Sequence, residues 1–192
     1  MAIVINGSGT VTGLAVGGLP DGTVDDGTVA SGIASSKLTG ALPAISGASL
    51  TGFIDAQMPA GSVLQVVQAT YATRVINNST SYADTGLSAS ITPSSTSSKI
   101  LVLVDQNTRI SSAGHWLGFQ IVRGSTEIKS TTYMTTSDSG SVNQQSAYNY
   151  LDSPNTTNAT TYKTRFKASS GTNVKVNDNS AIGTITLMEI AG

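Results

Sequence analysis

The chain has no cysteine and a single histidine, His115. The first absence excludes disulfides, thiolate nucleophiles and cysteine-ligated zinc. The second leaves His115 without another His or Cys to complete an ordinary metal set, so no metal and no cofactor is expected. Charge is equally scarce: Asp, Glu, Lys and Arg make up 11% of the residues, against about 25% in typical soluble domains. A formal net charge of -1 offers no basic stripe for neutralising phosphates, which argues against a nucleic-acid partner. No apolar run approaches the roughly 18 to 20 residues needed to span a bilayer, so no membrane insertion is expected. The start of the chain also lacks the basic region and long apolar core of a secretory signal.

Hydroxyl side chains take the place of charge, with 27 Ser and 26 Thr among the 192 residues. Such a chain favours strands and turns, because β-branched Thr packs well on a pleated surface and Ser competes for helical hydrogen bonds. Residues 1–59 read as a weak tandem repeat: GTV stands at 9–11, 22–24 and 27–29, LTG at 38–40 and 50–52, and GGLP at 17–20 returns as GALP at 40–43. Apolar residues there are isolated between Gly, Ser, Thr and Asp, too few to offset the entropy of ordering the backbone. This part is expected to need partners, either further copies of itself or a larger assembly. Nine of the ten aromatics follow residue 60, and the boundary falls near Met58, Pro59 and Gly61. The expected division is an extended, repeat-rich arm or shaft over 1–59 and a β-sandwich head over 60–192.

In the second part, strand-like segments at 62–72, 87–91, 99–106, 116–123, 145–151, 161–168, 173–177 and 184–190 alternate with Ser, Thr, Asn, Gly and Pro clusters. Eight such segments predict an all-β sandwich or jelly roll with almost no helix. Over 161–168, Tyr162, Thr164 and Phe166 alternate with Lys163, Arg165 and Lys167, which predicts one buried face and one wet face. The unbroken run Ile100, Leu101, Val102, Leu103 and Val104 predicts a central strand covered on both faces, the second by a neighbouring subunit.

Chemistry-bearing motifs are sparse. No GxSxG elbow occurs, and no lysine follows the early glycines in phosphate-loop spacing. Asp25 and Asp26 read as turn residues rather than a glycosidase pair, and Glu127 and Glu189 are the only glutamates. Asp105 reads as a surface acid at a strand end, within reach of Arg109. No catalytic residue is assigned, and the chain is expected not to be an enzyme. A binding surface fits the residues better. Trp116, Tyr133, Tyr148 and Tyr150 are candidate receptor contacts, since aromatic faces stack on sugars or anchor proteins, while core or intersubunit packing is the simpler reading of the same four residues. Lys163, Arg165 and Lys167 carry charge that suits an anionic glycan, but a solvated strand face that discourages edge-to-edge aggregation is the simpler reading.

Two stretches resemble known proteins. The opening AIVINGSGTVTGLAVGGLPDGTV, with KLTGALPAISGASLTG, resembles the N-terminal repeat region of tail-fibre and other virion structural proteins of tailed bacteriophages. SYADTGLSASITPSSTSSKILVLVDQ, GFQIVRGSTEI and the closing GTITLMEI are similar to the β-rich heads of such fibres. Those heads in turn resemble the trimeric jelly roll of the tumour-necrosis-factor and C1q group. The resemblance implies a homotrimer on the virion surface, with the last strand, 184–190, near the threefold axis. The expected trimer contacts are then Ile100, Val102, Val104, Ile185 and Leu187. Ile3, Val4, Ile5, Val11 and Leu14 are the expected attachment residues toward other tail or capsid proteins. A host-surface glycan or protein is the expected outer partner, and a capsid decoration or head-fibre protein is the alternative place for the same architecture.

Overall fold

The computed structural model describes residues 58–192. Ten strands follow one another: β1 (Val63–Tyr71), β2 (Val75–Asn77), β3 (Ala83–Ile91), β4 (Lys99–Ile110), β5 (His115–Arg123), β6 (Thr126–Ser137), β7 (Val142–Asp152), β8 (Thr160–Ala168), β9 (Val174–Val176) and β10 (Gly183–Ile190). The helical content among the described residues is one three-residue 3-10 turn, Asp178–Ser180. The hydroxyl-rich composition thus produces strands and turns, as its β-branched and turn-forming side chains require.

All pairings are antiparallel, within a six-stranded and a four-stranded sheet. The long strands run β1-β10-β4-β7 in the first and β3-β8-β5-β6 in the second. The short strands β2 and β9 extend the first sheet beyond the end of β10, with β9 on residues 108–110 of β4. With β2 and β9 left out and the rest renumbered along the chain, the orders become 1-8-3-6 and 2-7-4-5. That interleaving of two Greek keys is a jelly roll. The chain passes from sheet to sheet at nearly every connection, so the apolar face of each strand is closed by strands distant in sequence.

The core lies between the sheets. Leu87, Ile91, Leu117, Phe119, Ile121, Tyr162 and Phe166 project from the four-stranded sheet toward Ile100, Val102, Ile110, Ile185 and Leu187 of the other. The alternation on β8 has the predicted effect: Tyr162, Thr164, Phe166 and Ala168 are buried, while Lys163, Arg165 and Lys167 lie on the outer face. For β4 the expectation needs correcting. Ile100, Val102 and Val104 are at most 3% exposed within a single chain, packed on the opposite sheet, and Ile185 and Leu187 are fully buried beside them. These five side chains have no free surface for a neighbouring subunit. The other face of the run, Leu101 and Leu103, is the one turned outward.

One long strand, β6, escaped the sequence reading because its Thr- and Ser-rich segment breaks alternation. Its pairing with β5 slips between Leu117 and Phe119 and again between Ile121 and Val122, and each slip inserts residues that shift side chains from one face to the other.

Polar residues also bridge the two sheets. Thr85 and Thr164 share a 2.5 Å hydrogen bond, Thr164 donates to Gln106 at 3.0 Å, and Gln106 donates to Asn177 at 3.2 Å. Thr85, Thr164, Gln106 and Asn177 are all fully buried. Because each group in this chain has a partner, burial does not leave it unsatisfied. Near the start of β1, the fully buried Glu189 accepts hydrogen bonds from Ser94 N–H at 2.7 Å, Ser94 Oγ at 2.6 Å and Gln65 Nε2 at 2.5 Å. Burial raises its pKa, but these hydrogen bonds outweigh burial and hold the carboxyl below its ordinary value.

Candidate functional site

The outer face of the four-stranded sheet carries an aromatic and cationic row with one contribution from each strand or its start. Tyr82 immediately precedes β3, Lys167 lies on β8, Trp116 on β5 and Tyr133 on β6. Ala83 pairs with Phe166, and Lys167 pairs with Gly118, so register brings Tyr82, Lys167 and the Trp116–Gly118 segment side by side. Lys167 Nζ lies 4.7 Å from the centre of the Tyr82 ring and 5.7 Å from that of Trp116. Trp116 meets Tyr133 edge to face, with ring centres 5.5 Å apart and planes at 65°. Gly118 lies beneath the group: a Cβ there would come within 3.2 Å of the Lys167 stem and 3.3 Å of the Trp116 ring. Glycine therefore lets both side chains lie flat on the sheet.

The adjacent row on the same face is closed on itself. Asp84 binds Lys163 at 2.7 Å and Arg165 at 3.0 Å. Gln120 donates to Glu127 at 2.7 Å, and Ser130 donates to the same carboxylate at 2.5 Å. Two acids and two bases balance here, and Lys167 is the cation on this face without an acidic partner among the described residues.

The outer face of the six-stranded sheet is different. Register aligns Val66, Met188, Leu101 and Leu151 directly across β1, β10, β4 and β7. The next row holds Gln68, Thr186, Leu103 and Asn149. Val66 is 55% exposed, Leu151 48% and Leu103 38%. Beside them is a depression of about 290 Å³ lined by Leu103, Asp105, Ala147, Asn149, Thr184 and Thr186.

No family model matches the chain, and no curated protein does. Among solved structures, the chain is similar to that of the infectious bursal disease virus Gt strain, at 14% identity and a TM-score of 0.41, over 78% of this chain and 43% of the other. A mutant VP2 protein of infectious bursal disease virus, in derived T=1 particles, matches at 14% identity and a TM-score of 0.40, over 79% of this chain and 41% of the other. The chain thus spans about two fifths of the length of either. Neither likeness assigns it a role.

Of the four aromatic receptor candidates, the structure brings two together and separates two. Trp116 and Tyr133 meet on the outer face, whereas Tyr148 and Tyr150 turn inward against the core. Tyr148 packs edge to face on Phe119 at 5.9 Å, and burial pushes its phenol up to about 12. Tyr82 was not singled out from sequence, and the only signal for it was its position one residue before a strand. His115 Nδ1 lies 3.2 Å from Ser169 Oγ and 3.0 Å from Ser170 Oγ, at the end of the aromatic row. Arg109 does not pair with Asp105. It binds Asp178, which Arg74 also approaches at 3.5 Å. Burial raises the Asp178 pKa, but the hydrogen bonds and charges of Arg109, Lys175 and Arg74 more than offset it and leave the carboxyl below its ordinary value. The attachment residues Ile3, Val4, Ile5, Val11 and Leu14 lie outside the described residues, as do Asp25 and Asp26.

Proposed function

We propose that the chain is a non-enzymatic virion structural protein of a tailed bacteriophage: a short trimeric fibre attached to the particle through residues 1–59, with the jelly-roll head turned toward the host surface. The observation that carries this reading is the apolar row Val66, Met188, Leu101 and Leu151 on the outer face of the six-stranded sheet. A free-standing domain gains nothing from aligning apolar side chains across four adjacent strands in water, and large exposed apolar patches mark surfaces that associate. Three copies around an axis each turn that face inward. The repeat style of the first 59 residues and the resemblance of the head segments to phage fibres support the same reading. The buried acids support a structural role, since Asp178, Asp152 and Glu189 are engaged in internal hydrogen bonds and ion pairs.

Sedimentation of the purified full-length chain tests the assembly, with a stable trimer expected. A stable monomer at micromolar concentration overturns it. Copy number in purified particles tests the location: a few trimers support a tail fibre, and hundreds of copies overturn it in favour of capsid decoration.

A further inference from the structure

We infer that the row formed by Tyr82, Lys167, Trp116 and Tyr133 binds an acidic glycan, a pyranose polymer bearing carboxylate or phosphate groups. The inference rests on the reading that the head recognises a host surface and names the chemistry of that recognition.

Lys167 supplies the charge. Asp84 takes up Lys163 and Arg165, while the Lys167 ammonium lies over two aromatic rings and meets no carboxylate among the described residues. A ring face orients a cation through its quadrupole without neutralising it. The charge is therefore held in place and remains open to an incoming anion.

Trp116 and Tyr133 supply the stacking surface. Tyr133 is 66% exposed, which water disfavours for so large a ring. Its position follows from the irregular pairing of β6, where residues 132–134 have no counterpart in register opposite Gly118. An irregularity of this kind re-aims a side chain. With planes at 65°, the two rings form an angled shelf rather than a closed stack. The C–H face of a pyranose fits against one ring while its substituents reach the Lys167 ammonium. Hydrogen-bonding groups flank the shelf, namely His115 with the Ser169 and Ser170 hydroxyls. One unmatched cation beside an angled pair of aromatics suits widely spaced acidic groups on a sugar chain, whereas a nucleic acid requires a row of cations.

The test uses the full-length chain in titration calorimetry against three polymers: polygalacturonate, a phosphate-bearing mannan and neutral dextran. The expected result is binding of an acidic polymer at least about tenfold tighter than dextran, with the preferred polymer distinguishing carboxylate from phosphate. Tyr133→Ala and Lys167→Met should each weaken that binding about tenfold. Lys167→Met keeps the stem over Gly118, and Tyr133, 66% exposed, can be replaced with the fold intact, which thermal melting of the variant checks. Equal binding to dextran, no binding to any polymer, or undiminished binding by both variants overturns the inference. Oligomeric state and particle copy number are measured independently of these variants, so failure of the glycan site is distinguishable from failure of the fibre reading.

Discussion

The Tyr162 hydroxyl donates to Asp152 Oδ2 at 2.7 Å, joining β8 of the four-stranded sheet to the end of β7 in the other. Arg123 Nη1 binds both oxygens of the same carboxylate, at 3.0 and 2.8 Å. Tyr162 is fully buried, and burial together with the carboxylate raises its pKa well above that of a free phenol. Tyr162→Phe should cost about 1 to 1.5 kcal/mol, because Asp152 keeps its arginine. Asp152→Ala should cost about 3 kcal/mol, since it strands a buried hydroxyl and a half-buried guanidinium. Urea unfolding of the two variants checks the difference.

Acid should destabilise the head through Asp178 and Glu189. Both carboxyls have folded pKa values below their ordinary 3.8 and 4.5. Their stabilisation is therefore complete above the unfolded values and disappears as pH falls through the lower folded ones. The melting temperature should stay level from about pH 8 to pH 5 and fall below about pH 4. In an Asp178→Asn, Glu189→Gln double variant the head should melt lower at neutral pH and show a shallower acid limb.

Gly86 should not tolerate a side chain. Its φ of 88° lies in the left-handed region, and a Cβ would collide with the Tyr71 ring. Gly86→Ala should destabilise by more than about 1 kcal/mol, combining backbone strain with displacement of an aromatic packed on the core. Thermal melting checks this, and replacing Tyr71 by Ala in the same chain should not restore the loss.

Association should depend on outward residues of β4 and β7 and not on inward ones. Leu103→Lys with Leu151→Lys should yield a folded head that sediments as a monomer, because both side chains are already partly in water. Val102→Lys should instead unfold the head, since Val102 is fully buried and a lone ammonium there has no partner. A double variant that still sediments as a trimer would place the interface elsewhere.

Much of the fold was legible in the chain because period-two patterning is local. The segment 161–168 shows its buried and wet faces directly, and the Ser/Thr/Asn clusters at 93–98 and 153–161 separate strands, although the second runs two residues into β8. The run 100–104 was misread for a physical reason: apolar residues on both faces show that a strand is central but not which face meets its own chain. Likewise Trp116, Tyr133, Tyr148 and Tyr150 are all aromatics on strands, and only register with β5 and β4 sorts two outward and two inward.

Composition and alternation alone determined an all-β sandwich without thiol chemistry or metal ligation by cysteine, since these follow from which side chains are available and how they repeat. Tertiary structure decided which apolar residues are left in water and where a lysine comes to lie over two rings. Both depend on strands far apart in the chain becoming neighbours in a jelly roll, and strand order is a property of the closed sandwich that no local pattern carries.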